Sequence, residues 1–213
     1  MSFYNNFQAD RFPGPINGNP MNGLCEKVCI QANKVFDACI KQVTDEGVLL
    51  KVSGYVPSHP KLPLTFISAK NISSKGLMED LVITRLEDRP KFARIQCMVD
   101  IPIEVIYVDS DGVEGKGTSV LSIPEDIILH VPEPSIIPYE VRAITGAVCP
   151  EGTYTGEMDF MTTACITVIM EVVVEAQLLV PCYGYCPIPP CQEFNQEVCA
   201  TFFELPLFPG NGE

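Results

Sequence analysis

The sequence has no tryptophan, only two histidines and comparatively few charged residues. Charged side chains make up 19% of the 213 residues, against about 25% in typical soluble proteins. The apolar fraction of 46% is nevertheless normal, which excludes a disordered acidic chain. A chain of this length buries roughly 70% of its unfolded surface, so its folding does not require disulfides. His59 and His130 are the only histidines, so the sequence offers few side chains suited to general acid–base catalysis.

Signatures of enzymes and of export are also missing. The sequence contains no Gly-x-Ser-x-Gly elbow, Walker loop, His-Glu-x-x-His or Gly-x-Gly-x-x-Gly, so we expect no enzymatic activity and no cofactor. The most apolar run, 166–180, carries Glu171 and Glu175 and is shorter than the ~20 residues of a membrane helix. The first residues are polar and lack a basic segment followed by an apolar one, so we expect no secretory signal.

The charge is strongly unbalanced toward acid. The formal net charge of −13 repels phosphate backbones and anionic lipids. We therefore expect neither nucleic acid nor a membrane surface as a partner.

The most unusual feature of the sequence is its content of ten cysteines. Seven of them lie in two terminal clusters, at positions 25, 29 and 39 and at positions 182, 186, 191 and 199. Zinc and iron–sulfur sites usually contain Cys-x2-Cys pairs or nearby histidines, and neither clustered arrangement occurs here. We predict no metal site, with a zinc-stabilised intracellular protein as an alternative.

The spacing around three prolines bears on disulfide pairing. The segment from Cys186 to Cys191 reads Cys-Pro-Ile-Pro-Pro-Cys, which in a polyproline conformation separates its ends by about 15 Å. A disulfide requires Cα atoms roughly 4.4–6.8 Å apart, so local pairing needs a cis-proline turn. Cross-links between molecules are therefore predicted at six terminal cysteines: Cys25, Cys29, Cys182, Cys186, Cys191 and Cys199. Cys97 and Cys165 are expected to be small buried hydrophobic residues, and inert reduced thiols throughout are the alternative.

Composition divides the chain into three regions. Residues 1–23 are rich in Asn, Pro and Gly and predict a flexible arm, with four aromatic residues as hydrophobic anchors: Phe3, Tyr4, Phe7 and Phe12. Residues 24–180 predict the folded core, and 181–213 form a Cys/Pro-rich C-terminal segment. Apolar residues recur every three or four positions over 25–43, which predicts a short helix, although the Val, Phe and Ile content also permits a strand.

The remainder of the core predicts β-structure. Apolar and polar residues alternate from Ile95 to Tyr107, which indicates a half-buried strand. The Asp-Gly step that ends at Gly112 predicts a hairpin turn into a second strand over 113–123. Other strands are predicted at 48–56, 64–72, 81–86, 127–131, 139–148 and 166–180. We expect an antiparallel β-sandwich, either one domain or two closely packed halves.

Several smaller motifs allow simpler interpretations. Pro102 and Pro124 interrupt predicted strands, so each should lie at a bulge or a sheet edge. The glycines of Gly-Lys-Gly at 115–117 predict a bulge rather than a phosphate-binding loop. Asp109 and Asp111 lack the third carboxylate of a calcium loop. Both histidines are expected to be ordinary surface residues.

Three stretches carry a family resemblance. They are Lys-Val-Phe-Asp-Ala-Cys at 34–39, Arg-Leu-Glu-Asp-Arg-Pro leading to Phe-Ala-Arg-Ile-Gln-Cys at 85–97, and Leu-Leu-Val-Pro-Cys-Tyr-Gly-Tyr-Cys-Pro-Ile-Pro-Pro-Cys at 178–191. Together they resemble cysteine-rich proteins of spore-forming Firmicutes that are associated with the spore coat, exosporium and appendages. The resemblance spans most of the chain from about residue 25. It implies synthesis in the mother cell without a signal peptide and cross-linking in an oxidised outer layer.

These observations lead to one functional hypothesis and one alternative. We expect a structural protein that self-assembles into a spore-surface layer or filament through strand addition and intermolecular disulfides. Its partners would be further copies of itself and other spore-surface proteins. The alternative is a binding module that does not polymerise and docks another coat protein or a glycan through Pro-rich loops.

Overall fold

The computed structural model describes residues 18–186 and contains β-strands but no helix in that range. The eight strands are β1 (Glu26–Leu50), β2 (Ser53–Val56), β3 (Thr65–Asn71), β4 (Leu77–Arg85), β5 (Phe92–Val108), β6 (Glu114–His130), β7 (Glu140–Tyr154) and β8 (Phe160–Cys182). They form one antiparallel sheet in the order β1-β8-β7-β3-β5-β6-β2, with β4 also paired to β5. The all-β prediction is confirmed. The division into two sandwich layers stays a prediction.

The predicted helix at 25–43 is wrong, because this segment belongs to strand β1. In β1 the half-buried residues include Val28, Ala32, Phe36 and Cys39, at intervals of four, four and three. The half-buried residues have even numbers up to Phe36, whereas Cys39 has an odd number, so the face of the strand that points inward changes between these two residues. The resulting intervals of three and four residues match those of a helix. Main-chain pairing with β8, more than 100 residues later in the sequence, decides the structure.

The central hairpin follows the predicted alternation closely. Strands β5 and β6 pair without a register shift from Phe92 opposite His130 to Val108 opposite Glu114. The side chains of β5 at odd positions from Ala93 to Tyr107 are all buried. Because every second residue enters the core, this strand pair organises the apolar interior.

The other side of β5 is shared by two strands in succession. β4 pairs with β5 as far as Asp100, and β3 pairs with it from Ile103 onward. Pro102 lies between these two stretches, and its carbonyl accepts a hydrogen bond from the Ile72 N–H at 2.8 Å. The missing proline N–H therefore falls at the break between strands, rather than at the predicted bulge or edge.

The two glycines of Gly-Lys-Gly are regular members of the β5–β6 ladder. The pairing of β2 with β6 shifts its register here, between Ser53 opposite Thr118 and Val56 opposite Lys116, so the predicted bulge is found in that pairing with its extra residue on β2. A Cβ atom on Gly115 would lie 2.5 Å from Cζ of Tyr107. Glycine is needed here because the buried tyrosine ring occupies the space of a side chain.

The described residues separate into two compact units. One comprises 18–31 with 177–186, and the other comprises 32–176. Boundaries at 23/24 and 180/181 stay predictions. The arm anchors Phe3, Tyr4, Phe7 and Phe12, together with Cys191 and Cys199, lie outside the described residues.

Candidate assembly site

The smaller unit brings together cysteines from opposite ends of the sequence. The N–H of Cys25 donates a hydrogen bond to the carbonyl of Cys182 at 3.0 Å, beside the first residue of β1 and at the last residue of β8. Cys29 lies four residues further along β1, and Cys186 lies four residues beyond the end of β8. The two terminal clusters of the sequence thus contribute to a single site.

The thiols of this site differ in their environments. Cys25, Cys29 and Cys186 are exposed, whereas Cys182 is partly buried. The Cys182 sulfur accepts a hydrogen bond from the N–H of Gly184 at 3.2 Å, and the Cys25 sulfur donates one to the Cys182 carbonyl at 3.3 Å. All eight described cysteines are free thiols. Three exposed thiols in one unit give it the chemical means to form covalent links.

Tyr183 holds the chain segment that precedes β1. Its hydroxyl donates a hydrogen bond to the carbonyl of Pro20. Its ring lies against Gly23, where a Cβ atom would be 3.4 Å from the ring and where φ is +86°. This tyrosine belongs to the Tyr-Gly-Tyr-Cys stretch, but sequence reasoning assigned it no role. Its contacts fix the chain at the point where the predicted N-terminal arm ends.

β1 is the end strand of the sheet and, with 25 residues, its longest strand. Among the described residues, its main chain pairs with β8 alone. Beyond this edge, side chains of β1 reach the outer edge of β6. Asp37 accepts a hydrogen bond from the N–H of His130 at 2.8 Å, and the Lys41 ammonium donates one to the Pro124 carbonyl at 3.1 Å. This part of the edge is therefore held by side chains and not by a main-chain ladder.

The Pro124 and His130 predictions have different outcomes. Pro124 lies on β6 beyond the stretch that β2 pairs, so the edge prediction is confirmed. His130 is half-buried, with its ring stacked on Phe36 at 6.4 Å and edge-on to Phe92 at 5.6 Å. Its expected role as an ordinary surface residue is wrong, because it helps to attach β1 to β6. His59 is exposed as expected.

A buried carboxylate escaped the sequence analysis. Glu125 faces the core from β6, and its side chain is only 1% exposed. Its Oε1 atom lies 3.2 Å from the Lys41 ammonium, close enough for an ion pair but without hydrogen-bond geometry. The signal in the sequence was the position of Glu125 between Ile123 and Ile127, in the apolar phase of the strand. The carboxylate helps to fix Lys41, and with it the end strand.

The cysteines of the larger unit fall into two environments. Burial raises the pKa of the Cys97 and Cys149 thiols, and both side chains are inaccessible. Cys39 is partly buried, and burial, followed by nearby Glu125, raises its pKa. Cys165 is exposed, so its predicted burial is wrong: odd positions near the start of β8 face outward. Burial is confirmed for Cys97.

Cation sites find little support in the described chain. Within residues 18–186, no three His, Cys, Asp or Glu side chains are grouped so that they could hold a metal ion. Both oxygens of the Asp109 carboxylate accept main-chain hydrogen bonds, from Lys61 to one oxygen and from Asp111 and Val113 to the other. Asp109 thus stabilises the predicted turn between β5 and β6, where Gly112 has a φ of +81°.

Comparisons with known proteins add no family assignment. No protein-family model matches the chain, and neither a curated protein nor a solved structure is significantly similar to it. In the described range, 18–186, there is no helix with the length and apolar character to cross a membrane.

Proposed function

We propose that the protein is a structural subunit that self-assembles into a layer or filament by strand addition and intermolecular disulfides. The observation that carries this proposal is the junction of an end strand with exposed thiols. β1 is the long end strand of the sheet, and it begins beside Cys25, which is hydrogen-bonded to Cys182; Cys29 lies within β1, and Cys186 follows Cys182 by four residues. An end strand offers N–H and C=O groups to another chain, and neighbouring thiols can make the contact permanent.

The predicted arm has a length that suits β1. Residues 20–23 form a turn beside Tyr183, so the 19 residues before it, fully extended at about 3.3 Å each, would span about 63 Å, against about 80 Å for the 25 residues of β1. The arm carries one acidic and one basic residue, Asp10 and Arg11, so it is formally neutral. A neutral segment approaches a chain of charge −13 with less repulsion than any acidic segment does. In the proposed assembly, the arm of one subunit extends the sheet of the next.

Disulfide formation would follow this docking. Two thiols from neighbouring subunits form one S–S bond and release two protons and two electrons to an oxidant such as molecular oxygen. The exposed thiols of Cys25, Cys29 and Cys186 are available for this reaction without unfolding. Cys182, Cys191 and Cys199 complete the proposed set of cross-linking residues.

A location on the spore surface agrees with this chemistry. Disulfides persist outside cells, whereas cytosolic thiols are kept reduced. The resemblance to spore-surface proteins supplies a route to an oxidising environment without a secretory signal. We therefore propose assembly after synthesis in the mother cell, with itself and other spore-surface proteins as partners.

Electron microscopy of the purified protein with and without reductant tests this function. We expect polymers that resist denaturant only after oxidation and that lose this resistance when reductant is added; non-reducing gels of the oxidised sample should show covalent oligomers. Deletion of residues 1–23 should abolish the polymers that persist in denaturant, and the change Cys25→Ser with Cys29→Ser should reduce the covalent oligomers. Cys165→Ser is the matched control, because this exposed thiol lies outside the terminal clusters. A monomer with all ten thiols titratable after aerobic incubation contradicts the proposal.

The alternative function, a binding module, has one observation in its favour. Two Pro-rich loops present apolar side chains to solvent: Leu62 in one, and Ile136 and Ile137 in the other. Such side chains can recognise another protein. Deletion of residues 1–23 distinguishes the two functions: loss of polymers supports self-assembly, whereas an unchanged oligomeric state with lost capture of a partner supports the binding module.

A further inference from the structure

The loop between β6 and β7 presents an apolar projection. Ile136 is fully exposed and Ile137 is 56% exposed, between Pro134 and Pro138. The Ser135 hydroxyl donates a hydrogen bond to the Ile137 carbonyl at 2.5 Å, across the tip of the loop. Two adjacent exposed isoleucines are costly for an isolated molecule, since each leaves a large apolar surface in water.

The start of this loop is anchored to the sheet. The Arg85 guanidinium donates hydrogen bonds to the Pro90 carbonyl at 2.8 Å and to the Pro132 carbonyl at 2.6 Å. The N–H of Val131 donates to the Lys91 carbonyl at 2.8 Å. Prolines and these hydrogen bonds restrict the loop before any contact forms, which lowers the entropic cost of binding.

A complementary depression lies on the outward face of β7 and β8. It has a volume of about 430 Å³, and Gly146, Val43, Val148, Cys165 and Thr167 are among its lining residues. A Cβ atom on Gly146 would meet no other atom within 4 Å. The volume is more than ten times the ~30 Å³ of one water molecule, so the depression has room for branched aliphatic groups.

Charge favours the same pairing of surfaces. Lys70 is the β3 partner of Val148, and Lys75 forms a bridge opposite Ile144, so both lysines lie beside the depression. Both are exposed, and no ion pair to either is present within residues 18–186. The projecting loop carries one charge, the carboxylate of Glu133. On a chain of charge −13, two lysines that flank the same depression are a local site for the carboxylate of the loop.

We propose that Ile136 and Ile137 of one subunit insert into the depression above Gly146 of a second copy, with Glu133 facing Lys70 and Lys75. The two surfaces are different parts of one chain, so the contact is heterologous and can repeat from subunit to subunit in an open assembly. This inference rests on the proposed self-assembly and adds to it a non-covalent contact that requires neither the arm nor any disulfide.

Sedimentation equilibrium of the full chain in excess reductant tests this contact without disulfides, and substitutions in the loop and the depression separate it from docking of the arm. We expect reversible association of the wild type, weakened at least about tenfold by Ile136→Asp, as befits the loss of one buried aliphatic side chain. Gly146→Leu should weaken it to a similar extent by filling the depression. Ile128→Asp is the control, because Ile128 is an isoleucine on β6 that is 51% exposed and lies outside the proposed contact, so its change should leave association unchanged.

Cross-linking locates the contact independently. Ile136→Cys, oxidised with a copper–phenanthroline catalyst and oxygen, should give a peptide disulfide-linked between positions 136 and 165 of two molecules, and Cys165→Ser should remove it. Unchanged association of both Ile136→Asp and Gly146→Leu overturns the inference. A wild type that is monomeric in reductant but polymerises on oxidation also overturns it, while leaving the proposed function intact.

Discussion

Substitution of Gly115 by alanine should test the packing of the central hairpin most directly. The new Cβ atom would lie 2.5 Å from Cζ and 2.8 Å from Cε2 of Tyr107. Favourable carbon–carbon contacts are about 3.5–4.0 Å, so the overlap approaches 1 Å. The Tyr107 ring cannot withdraw easily, because it is fully buried and Tyr55 packs edge-on at 5.4 Å.

The magnitude follows from two opposing effects. Overpacking a core by one methyl group typically costs about 1–3 kcal/mol. Alanine in place of glycine gains about 0.5–1 kcal/mol in a strand, because the unfolded chain loses less entropy. We expect Gly115→Ala to lower the free energy of unfolding by about 1–2 kcal/mol. Gly146→Ala, the same change at an open position of β7, should be neutral or slightly stabilising.

Urea denaturation of a double-mutant cycle measures this effect. Tyr107→Phe removes a buried hydroxyl that has no hydrogen-bond partner among the described residues, so alone it should be nearly neutral. Combined with Gly115→Ala it should recover at least about 0.5 kcal/mol, because the hydroxyl is one of the overlapping atoms. Equal stabilities of Gly115→Ala and Gly146→Ala would refute the packing argument.

Three further predictions concern charge and thiols. Main-chain hydrogen bonds, first from Val113, hold the pKa of Asp109 below its ordinary value, so its contribution to stability is present above that value and is lost as pH falls through the lowered pKa. Asp109→Asn should therefore flatten the fall in urea midpoint between about pH 6 and pH 3. Lys41→Met should cost about 1–3 kcal/mol by leaving buried Glu125 unpaired, and adding Glu125→Leu should restore most of this loss in thermal denaturation. In native protein, iodoacetamide should modify Cys29 but spare Cys149, as mass spectrometry can show; equal labelling would contradict their assigned exposure.

The hairpin of β5 and β6 was predictable because its signal is local. In a strand with one buried and one exposed face, the polarity of each residue indicates the face on which it lies. The alternation from Ile95 to Tyr107 is present in the structure, and the pairing of β5 with β6 has no register shift. The turn at Asp109 was predictable for the same reason, since its hydrogen bonds join residues close in sequence.

The end strand was not predictable, because its structure depends on a distant partner. Spacing from Val28 to Cys39 fits a helix until pairing with β8 is known. The meeting of Cys25 and Cys182 depends in the same way on the register of strand ends 157 residues apart. The burial of Glu125 was not predictable either, because its carboxylate is compatible with the core only where Lys41, from another strand, reaches it.

The strand order also explains how cysteines in one chain can have different chemical roles. Cys97 and Cys149 face the core from interior strands, where burial withholds them from oxidants and raises their pKa. Cys25 and Cys29 lie at the start of an end strand, where the side chains are open to solvent. An oxidant therefore reaches Cys25 and Cys29 of a folded subunit before Cys97 and Cys149, since access to these two buried thiols requires unfolding. Covalent linkage at the strand ends can thus proceed without loss of the core on which the proposed assembly depends.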